Sequence, residues 1–139
     1  MRFNGNVFRN GKYWAIEVPM LGITTQGLTK RDAFEMIADA IETLVNKVGF
    51  TIDVFPGKGS HFEIGSSDQA ALCAFLLRQQ RRKQGLTLDE VTKRLGVTSH
   101  TAYARYEQGK AVPSIQKFYE LLAAVSNGTD FILSECQQN

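Results

Sequence analysis

The sequence has few cysteines and no long apolar run. Cys73 and Cys136, the only two cysteines among 139 residues, form neither a disulfide framework nor a set of metal ligands. We therefore expect a reducing, cytoplasmic setting. Since no apolar run approaches the roughly 18 residues needed to span a bilayer, and residues 1–6 lack the apolar core of a signal peptide, we expect a soluble globular chain of one domain or two small ones.

The charge is small in total and uneven along the chain. The formal net charge is +2, and residues 1–65 carry seven basic and seven acidic side chains. Between Arg78 and Lys110, eight basic side chains stand against three acidic ones. A basic block of this kind is typical of a phosphate-binding surface, and equally of a solvated helix face, so the composition alone leaves both interpretations open.

Alternating apolar residues predict strands in the first part of the chain. They flank Asn10-Gly11, a pair that favours a two-residue hairpin turn because both residues tolerate positive φ. Pro19 ends the second strand because it cannot donate to a ladder, and a third strand is predicted over residues 23–26.

A helix is predicted next, from Thr29 to Val48. Thr29 and Asp32 have the spacing of a capping box, and Gly49 is predicted to end the helix. Its apolar stripe consists of Ala33, Ile37, Ile41, Leu44 and Val48. A fourth strand over residues 50–55 completes a βββαβ unit with the helix on one face of a small antiparallel sheet; a further short strand at residues 61–64 is left open.

The second part of the chain is predicted to be helical, so the fold class is α+β. The segment 65–68 is the predicted hinge between a domain of residues 1–65 and a domain of residues 69–133. The predicted helices cover residues 69–84, 88–95, 99–107 and a segment that opens at Pro113-Ser114. The second domain is therefore an all-α unit of four or more helices.

Two of these short helices, joined by a turn at Gly96-Val97, have the arrangement of a helix-turn-helix, whose second helix enters the DNA major groove. The segments LTLDEVTKRLGV (residues 86–97) and YEQGK (residues 106–110), with Pro113-Ser114, resemble the Cro/lambda-repressor type of this motif over residues 72–125. One departure is that Gly96 and Glu107 lie eleven positions apart, one more than that family has. We therefore place the recognition helix by Glu107.

That placement predicts the DNA-binding residues. Ser99 is predicted to cap the recognition helix at a phosphate, and His100, Thr101 and Arg105 are predicted to contact bases or phosphates. The further phosphate candidates are Arg81, Arg82, Lys83 and Lys110. Each has an alternative role, as a capping group, an exposed helix residue or the partner of a nearby acid. Tyr103 and Tyr106 are predicted to be core residues.

The first part of the chain, with YWAIEVP (residues 13–19), TTQG (residues 24–27) and the helix from Thr29, resembles the HicB antitoxin fold, a shortened RNase H-like unit. With the helix-turn-helix behind it, about 125 of the 139 residues resemble a HicB-type antitoxin. The resemblance implies a type II toxin-antitoxin system: an N-terminal domain that neutralises a small basic mRNA-cleaving toxin of the HicA type, and repression of the antitoxin's own operon by binding of double-stranded operator DNA. A homodimer or larger homo-oligomer is inferred because such repressors bind two half-sites about 34 Å apart.

The toxin-binding residues are assigned to Tyr13, Trp14 and Glu17, with Tyr13 and Trp14 on opposite faces of their strand. Acidic residues of the predicted helix form either a solvated face or an attraction for a basic toxin. Glu17 and Asp53 do not form the compact carboxylate cluster that two-metal nuclease chemistry needs, so neither enzymatic activity nor a cofactor or metal is expected. The alternative function is a stand-alone repressor whose N-terminal domain senses a small ligand.

Overall fold

The computed structural model describes residues 1–97 and 99–136, and within them the chain is α+β, as predicted. An antiparallel five-stranded sheet with one helix is followed by four helices. The strands are β1 (Arg2–Asn10), β2 (Tyr13–Val18), β3 (Ile23–Gly27), β4 (Asp53–Pro56) and β5 (His61–Gly65). The helices are α1 (Lys30–Val45), α2 (Gln69–Lys83), α3 (Leu88–Leu95), α4 (His100–Glu107) and α5 (Ile115–Val125).

The sheet has the strand order β3-β2-β1-β5-β4, so the N-terminal unit is βββαββ rather than the predicted βββαβ. The strand that the sequence left open is β5, and it lies between β1 and β4. Strand β5 pairs with β1 on one side and with β4 on the other, so it connects the edge strand β4 to the rest of the sheet. The predicted strand over residues 50–55 is also corrected: it begins at Asp53, while Phe50 and Ile52 enter the core from the preceding loop.

The first hairpin turn lies one residue later than predicted. Asn10 pairs with Tyr13, so the two loop residues are Gly11 and Lys12. Gly11 has a φ of 62°, the left-handed conformation that glycine adopts without steric cost. Asn10 keeps its place in the ladder, because the glycine alone supplies the positive φ that this turn needs.

The inner face of the sheet packs against α1. Phe3, Val7, Ile16, Val18 and Ile64 alternate along the strands and are buried. Gly5 lies opposite Phe62, and a Cβ at this position would overlap the Phe62 ring. The strand therefore carries no side chain at the point where the aromatic ring crosses it.

Helix α1 ends earlier than predicted. Thr29 is its N-cap, with Oγ1 accepting a hydrogen bond from the Asp32 amide at 3.0 Å. The helix stops at Val45, because Asn46 adopts a left-handed conformation with a φ of 51° and takes the C-cap role that we expected of Gly49. As a consequence Val48 is fully exposed and Leu44 is 45% exposed, so neither belongs to the buried stripe.

The helical part packs directly on the N-terminal unit. Three consecutive side chains of α2, Arg78, Gln79 and Gln80, each donate a hydrogen bond to a backbone carbonyl at the end of α1 or in the 3-10 turn after β2, at 2.7, 3.0 and 2.7 Å. Ser66, in the segment predicted to be a hinge, is buried. The two halves therefore share a continuous core. The division of the chain into domains of residues 1–65 and 69–133 stays a prediction.

After α5 the chain continues without regular structure to residue 136. Phe131 packs against the core, while the side chains of Ile132 and Leu133 are exposed. Within the described ranges, the helices are too short or too polar to cross a bilayer.

Candidate nucleic-acid interface

The turn between α3 and α4 is built by local capping. Thr87 Oγ1 accepts a hydrogen bond from the Glu90 amide at 3.2 Å and starts α3. Gly96 ends α3 with a φ of 70°, a conformation that strains any residue with a side chain. The bounds of α3 are as the sequence predicts. The two helices that a helix-turn-helix requires therefore follow one another with a short turn between them.

The beginning of α4 carries two of the predicted DNA-binding residues. Ser99 holds the N-cap position and is exposed, but its hydroxyl makes no capping hydrogen bond. The predicted phosphate contact of Ser99 would therefore use the backbone amides at the start of α4 and a hydroxyl that makes no capping hydrogen bond. The His100 side chain lies outside the described residues, so its predicted contact stays a prediction.

One face of α4 is exposed and lies at helical spacing. Thr101, Ala102, Arg105 and Gln108 are exposed at positions i, i+1, i+4 and i+7. Tyr103 lies on the opposite face and is 1% exposed. Thr101 and Arg105 therefore share the surface that a recognition helix presents to base edges, and Ala102 adds a methyl group of the kind that packs against thymine.

The inner face of α4 is held to α2 by a buried ion pair. Arg81 Nε and Nη2 donate to the Glu107 carboxylate at 2.6 and 3.2 Å, and Tyr103 Oη donates to Glu107 Oε1 at 2.6 Å. Arg81 Nη1 donates to the Leu86 carbonyl at 2.9 Å. The side chains of Arg81 and Glu107 are only 15% and 7% exposed. The pair fixes the end of the recognition helix against the helix that packs on the N-terminal unit.

Protonation keeps this network intact near neutral pH. Burial, helped by the hydrogen bond to Glu107, raises the pKa of the Tyr103 hydroxyl, so the phenol stays protonated and donates. The hydrogen bond with Glu107 also raises the pKa of Arg81. All three guanidinium nitrogens of Arg81 are engaged inside the protein, and its predicted phosphate contact stays a prediction.

The remaining basic residues divide by what they touch. Arg78 donates to the end of α1, and Arg94 Nη1 donates to the Ala124 carbonyl and to Asn127 Oδ1, both at 3.1 Å. The exposed members of the basic block are Arg82, Lys83, Lys93, Arg94, Arg105 and Lys110. Lys93, which we did not single out from the sequence, is exposed like Lys83. Helix packing separates these cations from Arg78 and Arg81, which turn inward.

The residues predicted to bind a toxin divide between the two faces of the sheet. Trp14 is half-buried on the face that α1 covers, where the cations of Arg9 and Lys30 lie 5.9 and 6.0 Å from its ring. Trp14 and Tyr13 therefore lie on opposite faces, as predicted, and the toxin contact of Trp14 stays a prediction. Tyr13 is 43% exposed and shares the opposite face with Glu17.

The acidic residues do not form a catalytic cluster. Glu17 lies on β2 and Asp53 on β4, with β1 and β5 between them, so about 14 Å of sheet separates the two strands. On α1, Asp32 and Glu42 accept hydrogen bonds from the amides of Leu28 and Ile52 at 2.8 Å. In the described part of the chain, no group of three or more His, Cys, Asp or Glu side chains is placed to hold a metal ion.

Comparison with known proteins identifies the helical part. Residues 74–126 match a protein family described as a helix-turn-helix domain, and this range runs from α2 to the end of α5. No curated protein and no solved structure matches the chain. The chain therefore carries a helix-turn-helix domain, an architecture of sequence-specific DNA binding and transcription regulation.

Arg105 and Arg82 are expected to affect DNA binding in different ways. Arg105→Ala should weaken binding to the preferred duplex by about 1–3 kcal/mol, because a lost base contact acts on one sequence. Arg82→Ala, on the end of α2, should weaken binding to all duplexes alike and reduce its salt dependence, because fewer counterions are released. Fluorescence anisotropy at several salt concentrations measures both. Equal losses on preferred and scrambled duplexes would remove Arg105 from base recognition.

Proposed function

We propose that this chain is the antitoxin of a type II toxin-antitoxin system: it neutralises a HicA-type mRNA-cleaving toxin through its N-terminal unit and represses its own operon through α4. The observation that carries the proposal is the joining of a helix-turn-helix domain to a sheet-and-helix unit through one continuous core. Among the described residues of the N-terminal unit, no group of three or more His, Cys, Asp or Glu side chains is placed to hold a metal ion. A binding role for that unit accounts for its presence better than a catalytic one.

The DNA-binding part of the proposal is supported by the exposed face of α4. Thr101 and Arg105 point away from the core while Tyr103 and Glu107 hold the helix to α2. Exposed cations at the end of α2 and after α4, Lys83 and Lys110, supply positive charge for the flanking phosphates. Together these features fit one recognition helix in the major groove with backbone contacts on both sides.

Co-expression tests the toxin part. The gene beside that of this chain is expected to encode a small basic protein that arrests growth alone and is silent in the presence of the chain. The two proteins should co-purify. A neighbour that is harmless when expressed alone, or that fails to co-purify, would contradict the antitoxin role while leaving the helix-turn-helix domain in place.

A homodimer is part of the proposal, and α5 offers a surface for it. Ile115 and Tyr119 are 92% and 70% exposed. With exposed Ala123 they form an uncharged line at positions i, i+4 and i+8. A line of this kind can pack against its own copy in a two-fold symmetric dimer.

Tyr119→Glu is expected to shift the protein toward monomer. Two copies would bring the introduced carboxylates together at the symmetry axis, where burying a charge is costly. Sedimentation velocity over micromolar concentrations measures the change, and Leu133→Glu is the matched control because Leu133 is a fully exposed apolar side chain outside α5. Identical sedimentation of the wild type and both variants would contradict an α5 interface.

A further inference from the structure

One face of the sheet is left open by the fold. Helix α1 covers the inner face, whereas β1, β2 and β3 turn a second set of side chains to the outside. We call this set the open face. On these three strands its members are Arg2, Asn4, Asn6, Phe8, Asn10, Tyr13, Ala15, Glu17, Thr24 and Gln26. Their common direction follows from the ladder, because directly paired residues of antiparallel strands share a face.

The composition of the open face is unlike that of a solvated surface. Phe8 and Tyr13 are 45% and 43% exposed. Ala15 pairs with Phe8, and its small side chain leaves a shallow depression between the two aromatic residues. The charged members of the open face are Glu17 and Arg2, and the guanidinium of Arg2 pairs with Glu63 of β5 at 3.0 Å. Aromatic side chains are enriched in protein–protein interfaces relative to the rest of a protein surface.

The charge of the open face indicates the kind of partner. Glu17 is negative, and the one base of this face, Arg2, is bound by Glu63 at 3.0 Å and lies over the Phe55 ring at 3.5 Å. A nucleic acid would meet Glu17, and the one cation of this face is already paired within the protein. A basic protein would meet Glu17 as an opposite charge there.

The two edges of the sheet also differ. Strand β4 begins with Asp53 and ends with Pro56, residues that protect an edge from pairing with another chain. Strand β3, the edge beside the open face, has neither a charge nor a proline over Ile23–Gly27. The unprotected edge therefore adjoins the open face.

We propose that the open face, centred on Phe8, Tyr13 and Glu17 and bordered by the β3 edge, is the surface that binds the small basic toxin; this inference rests on the proposed function. The aromatic side chains bury apolar area and the amides of Asn6, Asn10 and Gln26 supply hydrogen bonds.

Affinity for the toxin tests this surface directly. The probe is the HicA-type protein encoded beside this chain, made inactive by substitution of its catalytic histidine, and titrated by calorimetry into the full-length chain. Tyr13→Ala and Glu17→Lys should each weaken binding on the order of tenfold or more, as central interface residues do. Leu133→Ala and Glu90→Lys are the matched controls, because Leu133 and Glu90 are exposed and lie outside the sheet, α1 and the proposed α5 interface. The controls should change the affinity less than about twofold.

The outcomes separate the inference from the function on which it rests. If the wild-type chain does not bind the toxin, the proposed function fails. If the wild type binds and Tyr13→Ala and Glu17→Lys match their controls, the toxin binds elsewhere and the inference is overturned. A lower sedimentation mass for Tyr13→Ala with unchanged toxin affinity would also overturn it, because the open face would then join two copies of this chain. Unchanged operator binding by both variants would show that they are folded.

Discussion

Replacing Glu107 by glutamine is expected to lower the free energy of unfolding by about 3–5 kcal/mol. The substitution leaves Arg81, which is 15% exposed, without the carboxylate that two of its nitrogens contact at 2.6 and 3.2 Å. Removing one partner of a buried ion pair is costly because the remaining charge stays desolvated. The Tyr103 hydroxyl loses its anionic acceptor as well. Urea unfolding followed by circular dichroism measures the loss.

Glu120→Gln is the matched control for this prediction. Glu120 pairs with Lys117 at 3.1 Å on α5, where both side chains are more than 40% exposed. Exposed pairs contribute about 0–1 kcal/mol, so the same chemical change should cost little there. Equal unfolding midpoints for the two variants would mean that the Arg81–Glu107 pair does not hold α4 to α2. Replacing both Arg81 and Glu107 by apolar residues should recover part of the stability.

Gly27→Ala is expected to lower the free energy of unfolding by about 3 kcal/mol or more. Gly27 ends β3 beneath the first turn of α1, and a Cβ there would overlap the backbone of Asp32 and Ala33. Backbone atoms cannot rotate away as a side chain can, so β3 and α1 must separate and expose Ala33 and the core below it. Thermal unfolding gives the size of the effect.

Gly65→Ala provides the comparison for Gly27→Ala. Gly65 is also a buried strand glycine, but a Cβ there would meet its nearest atoms at 3.4 Å, an ordinary contact. We expect a change smaller than about 1 kcal/mol for this variant. If Gly27→Ala is tolerated as well as Gly65→Ala, α1 does not pack on β3 as closely as described.

Local rules predicted the elements of this fold well and their assembly less well. The capping residues Thr29 and Thr87 act within three residues of their partners, so sequence spacing alone locates both helix starts. The end of α1 was missed because Asn46 and Gly49 both tolerate positive φ and the sequence does not choose between them. The central position of β5 depends on pairing with β1 some sixty residues away, which no local pattern encodes.

In the candidate DNA-binding site, too, the features set by local spacing were predicted and those set by distant contacts were not. The spacing of Thr101, Tyr103 and Arg105 was enough to predict which face of α4 is exposed. Arg81 and Arg82 are neighbours of the same type, and the sequence gives no reason to separate them. Only the approach of Glu107 from α4 turns Arg81 into the core and leaves Arg82 exposed. Pairing across distant helices therefore decides which cations remain available to DNA.

The most direct test of the central claim, that α4 recognises a DNA sequence, is selection from a pool of random duplexes at near-physiological salt. We expect the wild-type chain to enrich a two-fold symmetric motif with half-sites about 34 Å apart. Arg105→Ala should lose the preference at a defined position in each half-site, while Arg82→Ala should enrich the same motif with less bound DNA. If the wild type enriches no motif, or if Arg105→Ala enriches the same motif equally well, recognition through α4 is contradicted.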